Sequence, residues 1–176
     1  MADSKLIDEV ERVMQCAIGR TRSYFESEFQ IGVNETGAGG GDLDSLTLLD
    51  MTAIIGMGGD VNLLIAFSFQ DSLINTLYER MTSDFDVLPD EVEMYREAAA
   101  GEVVNTILGH CTIDLQKKGS QAISMTPPVV LDRVKTIRRM KNAMFYTQGL
   151  DTTLGLMTIS LVGPRELFNT CLDYAK

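Results

Sequence analysis

The chain is short of basic residues. Against 25 aspartates and glutamates it sets 15 lysines and arginines, for a formal charge of −10. Phosphate backbones attract cationic surfaces, so this balance argues against nucleic acid as the main partner and against anionic membrane surfaces. Long hydrophobic runs are missing too: none approaches the ~18 apolar residues of a membrane span. The N-terminal stretch MADSKLIDEVERV is charged throughout and lacks the apolar core of a signal peptide, which points to the cytosol. The three cysteines, Cys16, Cys111 and Cys171, are widely spaced and form no C-x-x-C pair, so reduced core cysteines are expected. The one histidine, His110, has no cysteine or carboxylate cluster at ligand spacing, so no metal site is expected in this chain. Neither Ser124 nor Ser160 has a histidine nearby in sequence and G-x-S-x-G is absent, which argues against a serine hydrolase. Asp42, Asp44 and Asp50 lack the spacing and terminal glutamate of a calcium loop.

What is present suits a globular chain. With 176 residues, 45% of them hydrophobic, one domain over 1–176 is expected, long enough to bury about 70% of its unfolded surface. Apolar residues at helical spacing (Leu6, Val10, Val13, Ala17, then Tyr24, Phe25 and Phe29) predict a long helix over 5–29, with Ser4 as its N-cap. The segment NETGAGGGDLDS at 34–45 reads as a glycine-rich loop, and it lacks the Lys-Ser/Thr of a phosphate-binding loop. Strands are predicted over 46–55 and 61–69, joined by the turn Gly56-Met57-Gly58-Gly59-Asp60. A short helix follows over 70–82, and a second long one over about 90–116 begins at Pro89-Asp90 and ends near Gly119. Strand-like segments cover 121–131, 134–148 and 152–162, and a last helix is expected over 165–175, after Pro164. The ten methionines read as core filler.

The order α-β-β-α recurs, and one offset of 94 aligns the two halves. Ile65-Ala66-Phe67 falls on Ile159-Ser160-Leu161, and Leu73-Ile74-Asn75-Thr76 on Leu167-Phe168-Asn169-Thr170. Val10, Val13 and Ala17 fall on Val104, Ile107 and Cys111. The expected fold is therefore α/β of the α+β kind: a pseudo-two-fold pair of α-β-β-α half-repeats, about 5–82 and 90–175. Its two long helices would pack on one mainly antiparallel sheet.

The second long helix carries the candidate chemistry. Met94, Ala98, Gly101, Val104, Leu108, Cys111 and Leu115 follow a core spacing of three and four. Glu102 and Asn105, three apart, share a face. Their neighbours there, Ala98, Thr106 and Gly109, are small, so a carboxylate and an amide can enter a partner's pocket unobstructed. Gly109 inside a helix costs ~1 kcal/mol against alanine, which suggests a close approach.

Glu102-Val103-Val104-Asn105-Thr106-Ile107-Leu108-Gly109 resembles the E-x-x-N-x-x-x-G helix of the CheC/CheX/FliY chemotaxis phosphatases. The longer family signature, Asp/Ser-x3-Glu-x2-Asn-x22-Pro, is met at its far end by Pro128. Its first position falls on Ala98, a departure. The first long helix offers Asp8 and Glu11 at the matching places and no amide, so the motif occurs once, as in the CheX type. The resemblance implies hydrolysis of the aspartyl phosphate on a CheY-like response-regulator receiver. Asn105 would orient the attacking water and Glu102 would engage a receiver lysine, while Ala98, Thr106, Gly109 and Pro128 would contact the partner. The receiver would supply the Mg²⁺, with no cofactor bound by this chain, and a homodimer is implied. Such chemistry needs a placed water and compensated charge more than a strong base. Two rival readings are a receiver-binding module without catalysis and a structural role related to the flagellar switch. Finally, Arg133, Lys135, Arg138, Arg139 and Lys141 make one basic stretch, read as a solvated hairpin or as a patch steering an acidic partner.

Overall fold

Met51, Ala53, Ile55 and Met57 alternate into the interior, and Leu63, Ile65, Phe67 and Phe69 do the same one strand later. A period of two with one side buried is the pattern of a sheet covered on that face. The computed structural model describes residues 2–41, 45–59, 62–116, 118–119, 121–138 and 142–164, with side chains of the first helix from Glu9 onward. Its elements are α1 (Ala2–Phe29), β1 (Val33–Gly41), β2 (Ser45–Thr47), β3 (Met51–Gly58), β4 (Leu63–Phe69), α2 (Asp71–Met81), α3 (Val92–Leu115), β5 (Ser124–Met125), β6 (Val129–Asp132), β7 (Thr136–Arg138), β8 (Ala143–Thr152) and β9 (Gly155–Pro164).

The main sheet has seven strands in the order β1-β8-β9-β4-β3-β5, with β6 also paired to β3, and every pairing is antiparallel. Its central pair, β4 with β9, is centred on Ala66 opposite Ser160, so the same 94-residue separation seen in the sequence spans the middle of the sheet. The fold is α+β, three helices on a mainly antiparallel sheet. One apolar cluster joins all three helices to that face, including Val10, Phe25, Phe67, Leu73, Ile107 and Ile159. Each such fully buried side chain contributes roughly 1.5–3 kcal/mol. On the opposite face, the small β2·β7 ribbon covers a second cluster of Leu46, Leu48 and Phe145.

α1 and α3 run antiparallel. Arg12 reaches the carbonyls of Asp114 and Leu115 at one end, and Tyr24 meets Thr106 towards the other. Three aromatic rings close α1: Tyr24 and Phe29 meet edge-on at 5.5 Å, and Phe25 and Phe29 at 5.9 Å.

Several sequence expectations need correction. The glycine-rich 34–45 segment is mostly strand: β1 pairs with β8 along nearly its whole length. Its glycines allow a close approach, since a Cβ on Gly40 would stand 2.8 Å from the Phe145 carbonyl oxygen. The 121–131 segment is two strands, because Pro127 and Pro128 have no N–H to give to a ladder. The 134–148 segment likewise divides into β7 and β8. Helix α1 begins at Ala2, so Ser4 lies inside it and does not cap it. The expected helix over 165–175, with Cys171, lies outside the described residues, as do Asp42, Asp44, Arg139 and Lys141.

Candidate functional site

Helix α3 packs against the sheet, α1 and α2 together, and so is buried over most of its circumference. Ala99, Ala100, Val103, Val104, Ile107, Leu108 and Cys111 are all interior. One exposed strip bears Met94, Glu97, Ala98, Glu102 and Asn105, and Glu93, His110, Ile113 and Asp114 are exposed elsewhere on the helix. Met94, 58% exposed, and Ala98 thus do not lie in the core, as their three-and-four spacing suggests. A helix apolar on several sides gives a weak periodic signal, and the spacing alone sets the buried arc about one position out of place.

The strip forms one wall of an open groove of about 480 Å³, lined by Met94, Glu97, Ala98, Gly101, Glu102, Asn105, Pro128 and Val130. The opposite wall is the β5–β6 segment. Met57 pairs with Met125, yet Ile54 pairs with Val129, one residue beyond a continuous register. The extra residue is a bulge at the proline pair, and bulges re-aim side chains beside functional sites. Thr126 anchors the bulge: its N–H donates to the Gly56 carbonyl at 2.9 Å and its hydroxyl accepts from the Gly56 N–H at 2.9 Å. Pro128 then lies on α3 at Gly101, where an added Cβ would be 3.4 Å from the proline Cγ and 3.7 Å from Val130 Cγ2. The close approach within the chain is therefore at Gly101; around Gly109 nothing stands within 4 Å of an added Cβ.

Of the residues singled out in sequence, the groove gathers Ala98, Glu102, Asn105 and Pro128. Thr106 is half-buried, and a side-chain hydrogen bond joins it to Tyr24 of α1. Burial pushes the Tyr24 hydroxyl up, the nearby Glu28 and Glu102 push it further, and the bond to Thr106 opposes them. Gly109 lies a turn beyond the groove. Helical spacing sets Glu93 and Glu97 on the apolar side of α3, where the sequence explains them only by the first turns being less buried; the structure exposes Glu97 in the groove.

Among the described residues, Glu97, Glu102 and Asn105 have no hydrogen-bond or ion-pair partner, whereas the neighbouring acids are neutralised. Buried Arg96 holds Asp71 at 2.7 Å and Glu93 at 2.7 Å, and Arg133 meets the other Asp71 oxygen at 2.6 Å. Lys135 holds Asp50 at 2.7 Å, and Asp50 accepts the Asp71 N–H at the start of α2. The Lys135 ammonium and that N–H hold the Asp50 carboxyl below the usual carboxylate range. Arg133 and Lys135 are thus engaged within the chain, which removes two charges from the basic stretch as a steering patch.

Below the groove, α1 and α3 are tied by Arg20 and Asp114 at 2.5 Å and by the Cys16 thiol 3.7 Å from Asp114. Cys111 is buried; its thiol is pushed up by its hydrogen bond with Cys16 and by burial. His110 is exposed on α3. Among the described residues no three histidines, cysteines or carboxylates gather as a metal site would require. No described helix is long and apolar enough to cross a membrane. A larger cavity, about 550 Å³ near Leu64, Val162 and Pro164, has no ionisable side chain in its lining.

No curated protein sequence matches the chain. Among solved structures, CheX from Desulfovibrio desulfuricans is similar with a TM-score of 0.72 at 19% identity, covering 85% of this chain and 97% of that one. CheX from Vibrio vulnificus is similar with a TM-score of 0.66 at 18% identity, over 85% and 97% of the two chains. A complex of CheX with CheY, BeF3 and Mg²⁺ from Borrelia burgdorferi is similar with a TM-score of 0.62 at 17% identity, over 89% and 98%. The family model of the chemotaxis phosphatase CheX matches residues 51–150, which run from β3 into β8 and take in the whole of α3 and its groove, and the chain belongs to the CheX family.

Proposed function

We propose that this chain hydrolyses the aspartyl phosphate of a CheY-like receiver domain, with the α3 groove as its site. One observation carries the reading: Glu102 and Asn105 stand side by side on α3, exposed and without a partner among the described residues, in a groove walled by Pro128. A carboxylate and an amide left unpaired beside a proline-walled groove are free to meet a second molecule.

In the reaction a water oxygen bonds to phosphorus as the bond from phosphorus to the aspartate oxygen breaks. The products are the free carboxylate and inorganic phosphate. Asn105 has both a donor and an acceptor and no charge, so its amide can hold that water in line without repelling it from the anionic phosphoryl group. Glu102 supplies a charge-assisted contact to a lysine of the receiver, which fixes α3 against the partner's pocket. Mg²⁺ carried by the receiver would offset phosphoryl charge; the two carboxylates and one amide of this groove do not make a cage for it. Ala98, Pro128 and, a turn away, Gly109 would meet the partner's surface. Thr106, bonded to Tyr24, would set the pitch of α3 at the groove.

The full chain is read as one CheX-like unit with half-repeats about 5–82 and 90–175, acting in the cytosol as a homodimer. Light scattering that returned the mass of a monomer would remove the dimer. A second reading, a receiver-binding module without catalysis, is favoured by the bare methyl of Ala98 where the family signature has Asp or Ser. Decay of a phosphorylated receiver separates the two. The wild type should accelerate it, and Asn105→Ala should lose about 10²-fold or more while still binding a beryllofluoride-loaded receiver. A wild type that binds the receiver without accelerating decay leaves the binding module in its place.

A further inference from the structure

We infer that Glu97 is a specificity-determining carboxylate of the groove, one that engages a cationic side chain of the receiver other than the lysine met by Glu102. The inference deepens the proposed receiver-phosphatase reading and rests on it. On α3, Asn105 lies at the far end of the exposed strip. Glu102 lies just before it on one side, and Glu97 lies eight residues, about 12 Å of helix, before it on the side of Pro128 and Val130. The groove therefore presents two carboxylates and one amide along the same helix.

Among the described residues, every cation near Glu97 is committed elsewhere. Its own turn holds Glu93 and Arg96, which pair with each other, and Arg96 spends its second nitrogen on Asp71. From β6 and the loop after it come Asp132 and Arg133, and Arg133 is held by Asp71 at 2.6 Å and lies 3.9 Å from Asp132. Lys135 is held by Asp50. The wall facing Glu97 offers only Pro128 and Val130. An acidic chain that neutralises Asp50, Asp71 and Glu93 with arginine or lysine leaves Glu97, like Glu102, open. Beside it Ala98 contributes only a methyl, so a long cationic side chain entering the groove has room between Glu97 and Asn105. A carboxylate at the rim of an interface governs which partners are attracted and how strongly salt opposes them, more than it governs the chemical step.

The test titrates a CheY-like receiver domain, loaded with beryllofluoride and Mg²⁺, against the full-length chain at two salt concentrations, with steady-state dephosphorylation of the same receiver alongside. Glu97→Gln should weaken Kd and raise KM by about fivefold to tenfold, with a flatter salt dependence. Asn105→Ala, in contrast, should act on kcat. Ala98→Asp placed on Glu97→Gln should recover most of the lost affinity, by returning a carboxylate to the same wall. Equal melting temperatures would show that the variants fold alike. A Kd within twofold of wild type, or a loss with undiminished salt dependence, overturns the role of Glu97. A wild type that binds the receiver but does not hydrolyse its phosphate removes the phosphatase reading, and the Kd comparison still decides Glu97. A wild type that binds no receiver removes both.

Discussion

Arg20 and Asp114, 94 residues apart, meet in a bidentate ion pair at 2.5 Å between α1 and α3. Their separation is that of Ala66 and Ser160, which face each other at the centre of the sheet. Residues related by one offset that touch each other must lie on the axis relating the halves. The ion pair and the strand pair thus mark the same axis in two layers, helices above and sheet below.

The guanidinium of Arg20 holds the Asp114 carboxyl below the usual carboxylate range. A carboxylate depressed on folding stabilises the fold above its unfolded pKa, about 3.9, and that contribution is lost as the pH falls through the folded value. A carbon-13 NMR titration should give Asp114 a midpoint under the ordinary range. Arg20→Gln should return it upward and flatten the acid limb of the stability curve.

Arg96→Ala should destabilise the chain by about 2–3 kcal/mol in urea unfolding. The side chain is buried, and its loss strands Asp71 with Arg133 alone and frees Glu93. Arg96→Met should recover part of the loss through packing, because the arginine Nε is itself buried without a partner.

Gly109→Ala should stabilise α3 by about 0.5–1 kcal/mol, since an added Cβ meets nothing within 4 Å. The same variant should raise KM for the phosphorylated receiver if the partner's surface packs there as proposed. A gain in melting temperature with KM unchanged would remove Gly109 from the interface.

Glu102 and Asn105 should divide the kinetics between them. Glu102→Ala should act mainly on KM, and Asn105→Ala should lower kcat by about 10²–10³-fold. Equal losses in both parameters for both variants would contradict the roles of docking and water placement.

Much of this architecture is readable in the chain, for reasons that differ by element. Helices α1 and α3 are long enough for periodicity to accumulate, and Glu102 and Asn105 are fixed relative to each other by helical spacing alone. Glycine-rich β1 was not readable, because Gly39, Gly40 and Gly41 lack the side chains that mark a strand. Its order comes from β8, more than a hundred residues away. The bulge at Pro127 and Pro128 was half readable: prolines announce a break, but only the pairing of β5 and β6 to β3 shows that the break points Pro128 at Gly101. Glu97 falls on the apolar side by spacing because the buried arc of α3 is set by three packing partners, which no single period reports.

Asn105 has its counterpart on α1 at Glu11, an exposed acid with no amide to offer. On the proposed reading, a fold built from two related halves is monovalent: each chain would take one receiver at saturation. Receivers sharing a cell would then compete for the same seat, and an unphosphorylated one that lingered there would inhibit the others. Capacity would scale with the number of chains, and the fold's inner symmetry would add nothing to it.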